Sequence, residues 1–164
     1  MNKKAQSICL LVSFCLFSPL TLLAKKSDNK AIERLLDAIA EIESKNKLQA
    51  IGDGGKAIGV YQIHRSYWQD GTRFLKVNWD YSFAFDSVKS RMVVKAYLLH
   101  YGKGKTLIDM ARIHNGGPNG LEKKSTLAYA RKINKILKRL PQPKKNPLNT
   151  AFSPVLPFKC SAAL

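Results

Sequence analysis

A glycine-rich segment interrupts a chain that is otherwise patterned for helices. Residues 51–71 read IGDGGKAIGVYQIHRSYWQDG, with four glycines among residues 52–59 and four ring-bearing side chains among residues 61–68. Glycines at this density do not continue a helix, because each one raises the entropic cost of fixing the backbone. We therefore expect a loop with a short strand or extended piece at residues 57–63, followed by a helical turn at residues 65–69.

Four segments show the spacing of amphipathic helices, with apolar residues three or four positions apart. They are residues 28–45, 86–101, 106–113 and 121–140. Ser27 or Asp28 is placed to cap the first helix, and Thr106 with Asp109 has the spacing of a capping box. The glycines of HNGGPNG end the third helix, and Pro141 ends the last one.

The apolar stripes of these helices define the expected core. They comprise Ile32, Leu35, Leu36, Ile39 and Ile42 in the first helix, Val88, Met92, Ala96 and Leu99 in the second, and Leu127, Ala130, Ile133, Leu137 and Leu140 in the last. The sequence therefore predicts a mainly helical domain with one irregular or β-containing insertion after the first helix.

The two ends of the chain differ in composition from the helical domain. Residues 1–24 have a basic start, an apolar run and a small final residue, which is the pattern of a cleaved signal peptide. An uncleaved membrane anchor is the alternative, but the apolar span is short and contains Pro19. Residues 141–164 hold five prolines and no apolar period, as in a disordered tail. We expect a secreted or periplasmic domain over residues 25–140, with no stable membrane insertion.

The charge and the cysteines narrow the class of protein. A formal net charge of +17 predicts an anionic partner, such as nucleic acid, anionic lipid or a cell-wall polymer. Cleavage of the signal removes two lysines and lowers this charge to +15. It also removes Cys9 and Cys15, so Cys160 remains alone and the processed chain has no internal disulfide.

Two carboxylates are candidates for chemistry. Glu43 follows Leu36 by seven residues and Ile39 by four, which places it on the apolar side of the first helix. Partial desolvation at that position would favour the protonated form of the carboxyl group, which a general acid needs. The alternative is a solvated helix-end glutamate paired with Lys47. Asp53 lies among glycines and should be solvated and ionised, unless it is an ordinary turn residue. A protonated and an ionised carboxylate together form the pair that cleaves glycosidic bonds.

Aromatic side chains suggest one class of ligand, and the absence of recognisable motifs argues against others. Tyr61, Tyr67 and Trp68 are suited to stacking on sugar rings, although residues of this kind often form core. His64 and His114 have no metal-binding spacing, so we expect no metal and no cofactor. No nucleic-acid motif is recognisable, and nucleic acid is therefore not an expected partner.

Four blocks, in this order, make the chain resemble the lysozyme-like superfamily of peptidoglycan-cleaving enzymes. IES at residues 42–44 is similar to the catalytic Glu-Ser of soluble lytic transglycosylases and goose-type lysozymes. GVYQI at residues 59–63 resembles their Gly-Leu-Met-Gln block. ARIHNGG at residues 111–117 resembles Ala-Tyr-Asn-Ala-Gly, and TLAYARKI at residues 126–133 resembles the Thr-x-x-Tyr-Val helix that closes the site.

The resemblance is closest to the invertebrate-type, destabilase-like lysozymes. Tyr67, Trp68 and Asp70 match their Tyr-Trp-x-Asp, and HNGGPNG at residues 114–120 is present letter for letter. This likeness implies a mainly α, α+β lysozyme-like fold. Animal members are rich in disulfides, whereas the processed chain has none, which suggests a bacterial relative.

The resemblance implies a muramidase that hydrolyses the β-1,4 bond between N-acetylmuramic acid and N-acetylglucosamine, with Glu43 as catalytic acid and Asp53 as second carboxylate. The expected substrate-binding residues are Ser44, Tyr61, Gln62, His64, Trp68, His114, Asn115, Gly116 and Tyr129. The expected partners are peptidoglycan glycan strands and, through the basic surface, anionic cell-wall polymers. The alternatives are a lytic transglycosylase that forms 1,6-anhydro products without a second carboxylate, a non-catalytic basic wall-binding protein, and a structural partner of a secretion or pilus machine.

Overall fold

The computed structural model describes residues 19–141, and it describes side chains from residue 29 onward. Most of the expected signal peptide, and the expected tail after residue 141, lie outside the described residues. The elements are α1 (Pro19–Ser44), β1 (Ile51–Gly52), a 3-10 turn (Asp53–Gly55), β2 (Ala57–Ile58), β3 (Ile63–His64), α2 (Arg65–Leu75), a 3-10 segment (Tyr81–Phe85), α3 (Ser87–Tyr101), α4 (Leu107–Gly116) and α5 (Thr126–Arg139). This order confirms a mainly α fold with a small β insertion after the first helix. No helix within residues 19–141 is long and apolar enough to cross a membrane.

α1 is the central helix, and α3, α4 and α5 all pack against it. The buried residues of its predicted stripe are Ile32, Leu35, Leu36 and Ile39. The helix begins earlier than predicted, so Ser27 and Asp28 lie inside it and neither is its cap.

The remaining helices lie where the sequence predicts them but differ in length. α2 continues well beyond the single turn expected after β3. α4 begins with the predicted capping box, in which the Thr106 side chain accepts from the Asp109 N–H and the Asp109 side chain accepts from the Thr106 N–H. α5 begins at Thr126 rather than at residue 121, and Leu127 in its first turn is exposed. Further along α5, Ala130, Ile133 and Leu137 are buried as predicted.

The buried side of α3 is not the one that its spacing predicted. Val88, Met92 and Leu99 of the expected stripe are exposed. The buried residues are Ser90, Val93, Val94, Tyr97 and Leu98. α3 carries apolar residues on several sides, so two stripes satisfy the same spacing and packing against α2 selects between them. At that contact a Cβ on Gly71 would come within 2.6 Å of Val93, which shows how closely the two helices approach.

The three strands form one antiparallel sheet in the order β1–β2–β3. Ile51 pairs with Ile58, and Ala57 pairs with His64. The extended piece expected at residues 57–63 is therefore β2, a turn and the start of β3. Each strand has only two residues, so contacts from behind the sheet must hold its shape.

Two hydroxyl groups attach the sheet to the helical core. The Tyr81 hydroxyl lies within hydrogen-bond distance of two carbonyl oxygens, that of Lys56 at 2.9 Å and that of Ile63 at 2.6 Å, and can donate its one proton to either. The Ser44 hydroxyl, buried at the end of α1, donates to the carbonyl of Val60 at 2.9 Å. The last turn of α1 and the sheet are therefore joined directly.

We expect Gly59→Ala to destabilise the protein far more than Gly54→Ala. Both glycines have a positive φ, 76° and 61°, where alanine costs about 1–2 kcal/mol. Only at Gly59 would the new Cβ overlap another group, the carbonyl oxygen of Ala84, whereas Gly54 has nothing within 4 Å. Overpacking should add about 1–3 kcal/mol to the loss at Gly59. Urea unfolding of both variants measures the difference in their free energies of unfolding. Equal losses of stability would contradict the close approach of Gly59 to Ala84.

Candidate active site

An open cleft of about 540 Å³ lies between the sheet, the start of α2 and the end of α4, and it exposes part of the last turn of α1. Six of the predicted site residues line it: Glu43, Asp53, Gln62, His64, His114 and Asn115. Most of its lining is polar, which suits a ligand rich in hydroxyl groups. In the described part of the chain, no group of three or more His, Cys, Asp or Glu side chains could hold a metal ion.

Glu43 lies in the last turn of α1 and faces the cleft. Its side chain is 19% exposed, so the carboxylate is partly removed from water, as its place in the apolar stripe predicts. Its Oε1 lies 3.5 Å from Nε2 of His114. Among the described residues no ion pair joins Glu43 to Lys47, which was the alternative partner. Glu43 is therefore enclosed by the core on one side and open to the cleft on the other.

His114 links Glu43 to the core through Tyr67. The His114 side chain is only 5% exposed, and its Nδ1 lies 3.1 Å from the Tyr67 hydroxyl. Burial raises the pKa of that hydroxyl well above its ordinary value, and Tyr97 and Glu43 raise it further, so the phenol keeps its proton. When the phenol donates to Nδ1, the N–H of the neutral imidazole is at Nε2 and points toward Glu43.

Asp53 stands in the 3-10 turn between β1 and β2, with a φ of 48°. Its side chain is 67% exposed, so the prediction of a solvated carboxylate among glycines is confirmed. Its Oδ2 lies 2.9 Å from Nε2 of His64, a contact that no local sequence pattern indicated. Oδ1 has no hydrogen-bond partner among the described residues and remains available to a ligand in the cleft.

Three residues predicted to bind substrate are buried and do not line the cleft. Ser44 is buried and attaches α1 to the sheet, as described above. Trp68 is 2% exposed, and its indole N–H donates to the carbonyl of Trp79 at 2.9 Å. Tyr61 is also buried, and its hydroxyl accepts a hydrogen bond of 3.1 Å from Arg91 of α3. The polar groups of these three side chains are therefore already hydrogen-bonded within the fold.

Gly116 and Tyr129 lie next to the cleft without lining it. The carbonyl of Gly116 accepts a hydrogen bond of 2.6 Å from the Lys123 ammonium group. Tyr129 is buried on α5, and burial together with the charge of Glu43 raises the pKa of its hydroxyl. The phenol therefore keeps its proton, and it lies near Glu43 without lining the cleft.

The cleft also contains side chains that were not predicted to bind substrate. Tyr97 of α3 stacks on Tyr67, with ring centroids 3.6 Å apart. Asp70 of α2 accepts a hydrogen bond of 2.9 Å from the Tyr101 hydroxyl. Asp70 belongs to the Tyr-Trp-x-Asp block, so a signal for it was present. Tyr97 had no such signal, because it lies on the face of α3 that the spacing did not select.

A mainly helical domain with a half-buried glutamate at the end of its central helix, and an exposed aspartate on a small sheet across one cleft, is a lysozyme-like protein. The Destabilase family model matches residues 33–136, and the chain belongs to this family. The resemblance to destabilase-like lysozymes is thereby confirmed.

Curated relatives are lysozymes of bivalves. The chain is 39% identical to the lysozyme of Magallana gigas over 79 residues, which is 46% of this chain and 56% of that protein. It is 34% identical to the lysozyme of Meretrix lusoria over 110 residues, or 63% of this chain and 88% of that protein. The match therefore spans about half the length of the Magallana gigas protein and most of the Meretrix lusoria protein.

Solved structures of relatives share the fold. The Meretrix lusoria lysozyme in complex with PliI of Aeromonas hydrophila has a TM-score of 0.54 at 34% identity, covering 63% of this chain and 88% of that one. The Tapes japonica lysozyme has a TM-score of 0.51 at 28% identity, covering 66% of this chain and 89% of that one.

Proposed function

We propose that this chain is a muramidase that hydrolyses the β-1,4 bond between N-acetylmuramic acid and N-acetylglucosamine in peptidoglycan. The observation that carries the proposal is the position of a half-buried Glu43 and a solvated Asp53 on one polar cleft. Retaining and inverting glycosidases both use a pair of carboxyl groups in such different surroundings. Lysozyme relatives at 39% and 34% identity support the same activity.

Glu43 is the general acid in this mechanism. Its carboxyl group protonates the glycosidic oxygen, and the bond to the leaving sugar then breaks. The carboxylate formed in that step lies 3.5 Å from Nε2 of His114, and the N–H there faces it when the Tyr67 hydroxyl donates to Nδ1. A donor at this position stabilises the negative charge that develops on Glu43 as its proton leaves.

Asp53 acts on the positive charge that develops on the sugar. Its free Oδ1 stabilises the oxocarbenium-like state or attacks the anomeric carbon, and a water molecule completes hydrolysis. Gln62 and Asn115 also line the cleft and are placed to bind sugar hydroxyl and acetamido groups.

A lytic transglycosylase is the second candidate, and the exposure of Asp53 favours keeping it. The Asp53 side chain is 67% exposed and lies beside His64, so water screens its charge. A screened carboxylate stabilises a nearby cation less strongly than a buried carboxylate does. In this reaction Glu43 serves as acid, the muramic 6-hydroxyl attacks, and Asp53 is not required.

We infer export as the setting of this reaction. The basic, apolar and small residues at positions 1–24 support a signal peptide, and peptidoglycan lies outside the cytoplasm. The net charge of +15 that remains after removal of Lys3 and Lys4 supports binding to anionic cell-wall polymers in addition to the glycan strands.

Mass spectrometry of the products formed from purified peptidoglycan tests the reaction class. We expect disaccharide muropeptides with reducing muramic acid ends, because Asp53 can support attack by water. Products with 1,6-anhydro ends would instead establish the transglycosylase. A correctly folded protein that releases no muropeptide would exclude both enzymes and favour a wall-binding role.

A further inference from the structure

The outward face of α5 carries a row of cations. The exposed basic residues of this helix are Arg131, Lys132, Lys135, Lys138 and Arg139, and we call them the α5 basic face. The helix contains no acidic residue, and no Asp or Glu follows Glu122 in the chain. The opposite side of α5, which includes Tyr129 and Ile133, packs into the core.

The cations of the α5 basic face are unpaired, unlike those of α3. Arg91 of α3 lies 2.6 Å from Glu33 and 2.8 Å from Asp37, and Lys95 lies 2.6 Å from Glu33. No ion pair among the described residues includes a cation of α5. The positive charge of this face is therefore available to a partner.

The arrangement is unfavourable for the helix itself. Lys135 lies four residues after Arg131 and four before Arg139, and like charges at this spacing destabilise a helix. Cations in the last turn interact favourably with the helix dipole, which accounts for Lys138 and Arg139. The helix dipole does not account for Arg131 and Lys132, which lie in the middle of α5. The contacts within the described fold therefore give no reason for the charge of these two residues.

We propose that the α5 basic face is a docking surface for a polyphosphodiester of the cell wall, a linear polymer of the glycerol-phosphate kind. Five cations fall within a rise of about 12 Å along the helix, which matches a chain with a negative charge on every repeat. Peptidoglycan stem peptides are a poorer match, because their carboxylates are sparse and partly balanced by amines. The choice of a wall polymer rests on the proposed function.

The docking surface and the cleft lie on different sides of α5. Tyr129, on the buried side, stands beside Glu43, whereas the α5 basic face points away from the core. A polymer bound to the outer face therefore leaves the glycan cleft open. Docking concentrates the protein on the wall and does not take part in bond cleavage.

Salt-dependent binding to two wall preparations tests the proposal. Walls that retain their glycerol-phosphate polymer should bind the wild type with a slope of log K against log salt of about −3.5, or roughly a hundred-fold loss between about 50 and about 200 mM salt. The triple variant Arg131→Gln, Lys132→Gln, Lys135→Gln should flatten that slope by about 2 units. The matched control Lys76→Gln, Lys103→Gln, Lys105→Gln removes three exposed charges outside α5 and should leave most of the slope.

Three further readouts make the result decisive. Walls stripped of phosphodiester polymer should lose most of the wild-type binding, and unchanged binding there would overturn the choice of partner. Equal effects of the two triple variants would overturn the docking surface, since only net charge would then matter. The α5 variant should unfold at the same temperature as wild type or higher, because the repulsion is relieved, and a lower melting temperature would assign these cations a structural role. The α5 variant should cleave soluble peptidoglycan fragments at the wild-type rate, so a failure of catalysis remains distinguishable from a failure of docking.

Discussion

Glu43→Gln is expected to lower the rate of peptidoglycan cleavage by about 10²–10⁴-fold, the usual contribution of a positioned general acid. The amide keeps the shape of the carboxyl group and its place beside His114, but it has no acidic proton to give to the glycosidic oxygen. Release of soluble muropeptides from purified walls measures the loss. Thermal unfolding of the same variant shows whether the fold is intact.

Glu41→Gln is the matched control for this experiment. Glu41 lies two residues earlier on α1, is exposed, and accepts a hydrogen bond of 3.1 Å from the Asn46 side chain. It changes the charge of the helix by the same amount without touching the cleft, so we expect an activity within twofold of wild type. Normal wall cleavage by Glu43→Gln would end the glycosidase proposal, because the proposed mechanism has no other proton donor for the glycosidic oxygen.

Asp53→Asn is expected to reduce hydrolysis by at least about a hundred-fold, because loss of one electrostatic group aimed at a developing charge typically has that effect. Asparagine still fits the turn, since its side chain tolerates a positive φ such as the 48° found here. Initial rates on purified peptidoglycan, together with product analysis, measure the change and its chemistry.

Asp37→Asn supplies the comparison for Asp53→Asn. Asp37 is 54% exposed and lies 2.8 Å from Arg91, so it is also a solvated aspartate with one basic partner, but it is outside the cleft. We expect little change in its activity. A nearly normal rate for Asp53→Asn, with 1,6-anhydro products from wild type, would remove Asp53 from the mechanism and leave Glu43 as the acid of a transglycosylase.

Features that depend on neighbours along the chain could be predicted from the sequence. The stripe of α1 and the capping box of Thr106 and Asp109 follow from spacings of three and four residues. The same periodicity placed Glu43 at the edge of the core, and the glycines placed Asp53 in a solvated turn. These properties depend on residues that are close in the sequence, so they can be predicted without knowledge of the rest of the fold.

Features that depend on distant contacts could not be predicted in this way. The buried face of α3 is selected by its approach to Gly71 of α2, which no pattern within α3 encodes. The contact between Tyr67 and His114 joins residues 47 positions apart. Trp68 seemed suited to a sugar, but the sequence could not show that its indole N–H is already used by the carbonyl of Trp79.

The glycine-rich turn has open space around Gly54 and Gly55, while the residues that follow it are held by hydrogen bonds. A Cβ on Gly54 or Gly55 would have no neighbour within 4 Å, whereas the chain that follows the turn is held by the Tyr81 hydroxyl at Lys56 and Ile63 and by the Ser44 hydroxyl at Val60. Insertions at the tip therefore need not loosen the sheet or move the last turn of α1. The rim of the cleft at Asp53 therefore borders a turn whose length can change during evolution while the rest of the fold stays intact.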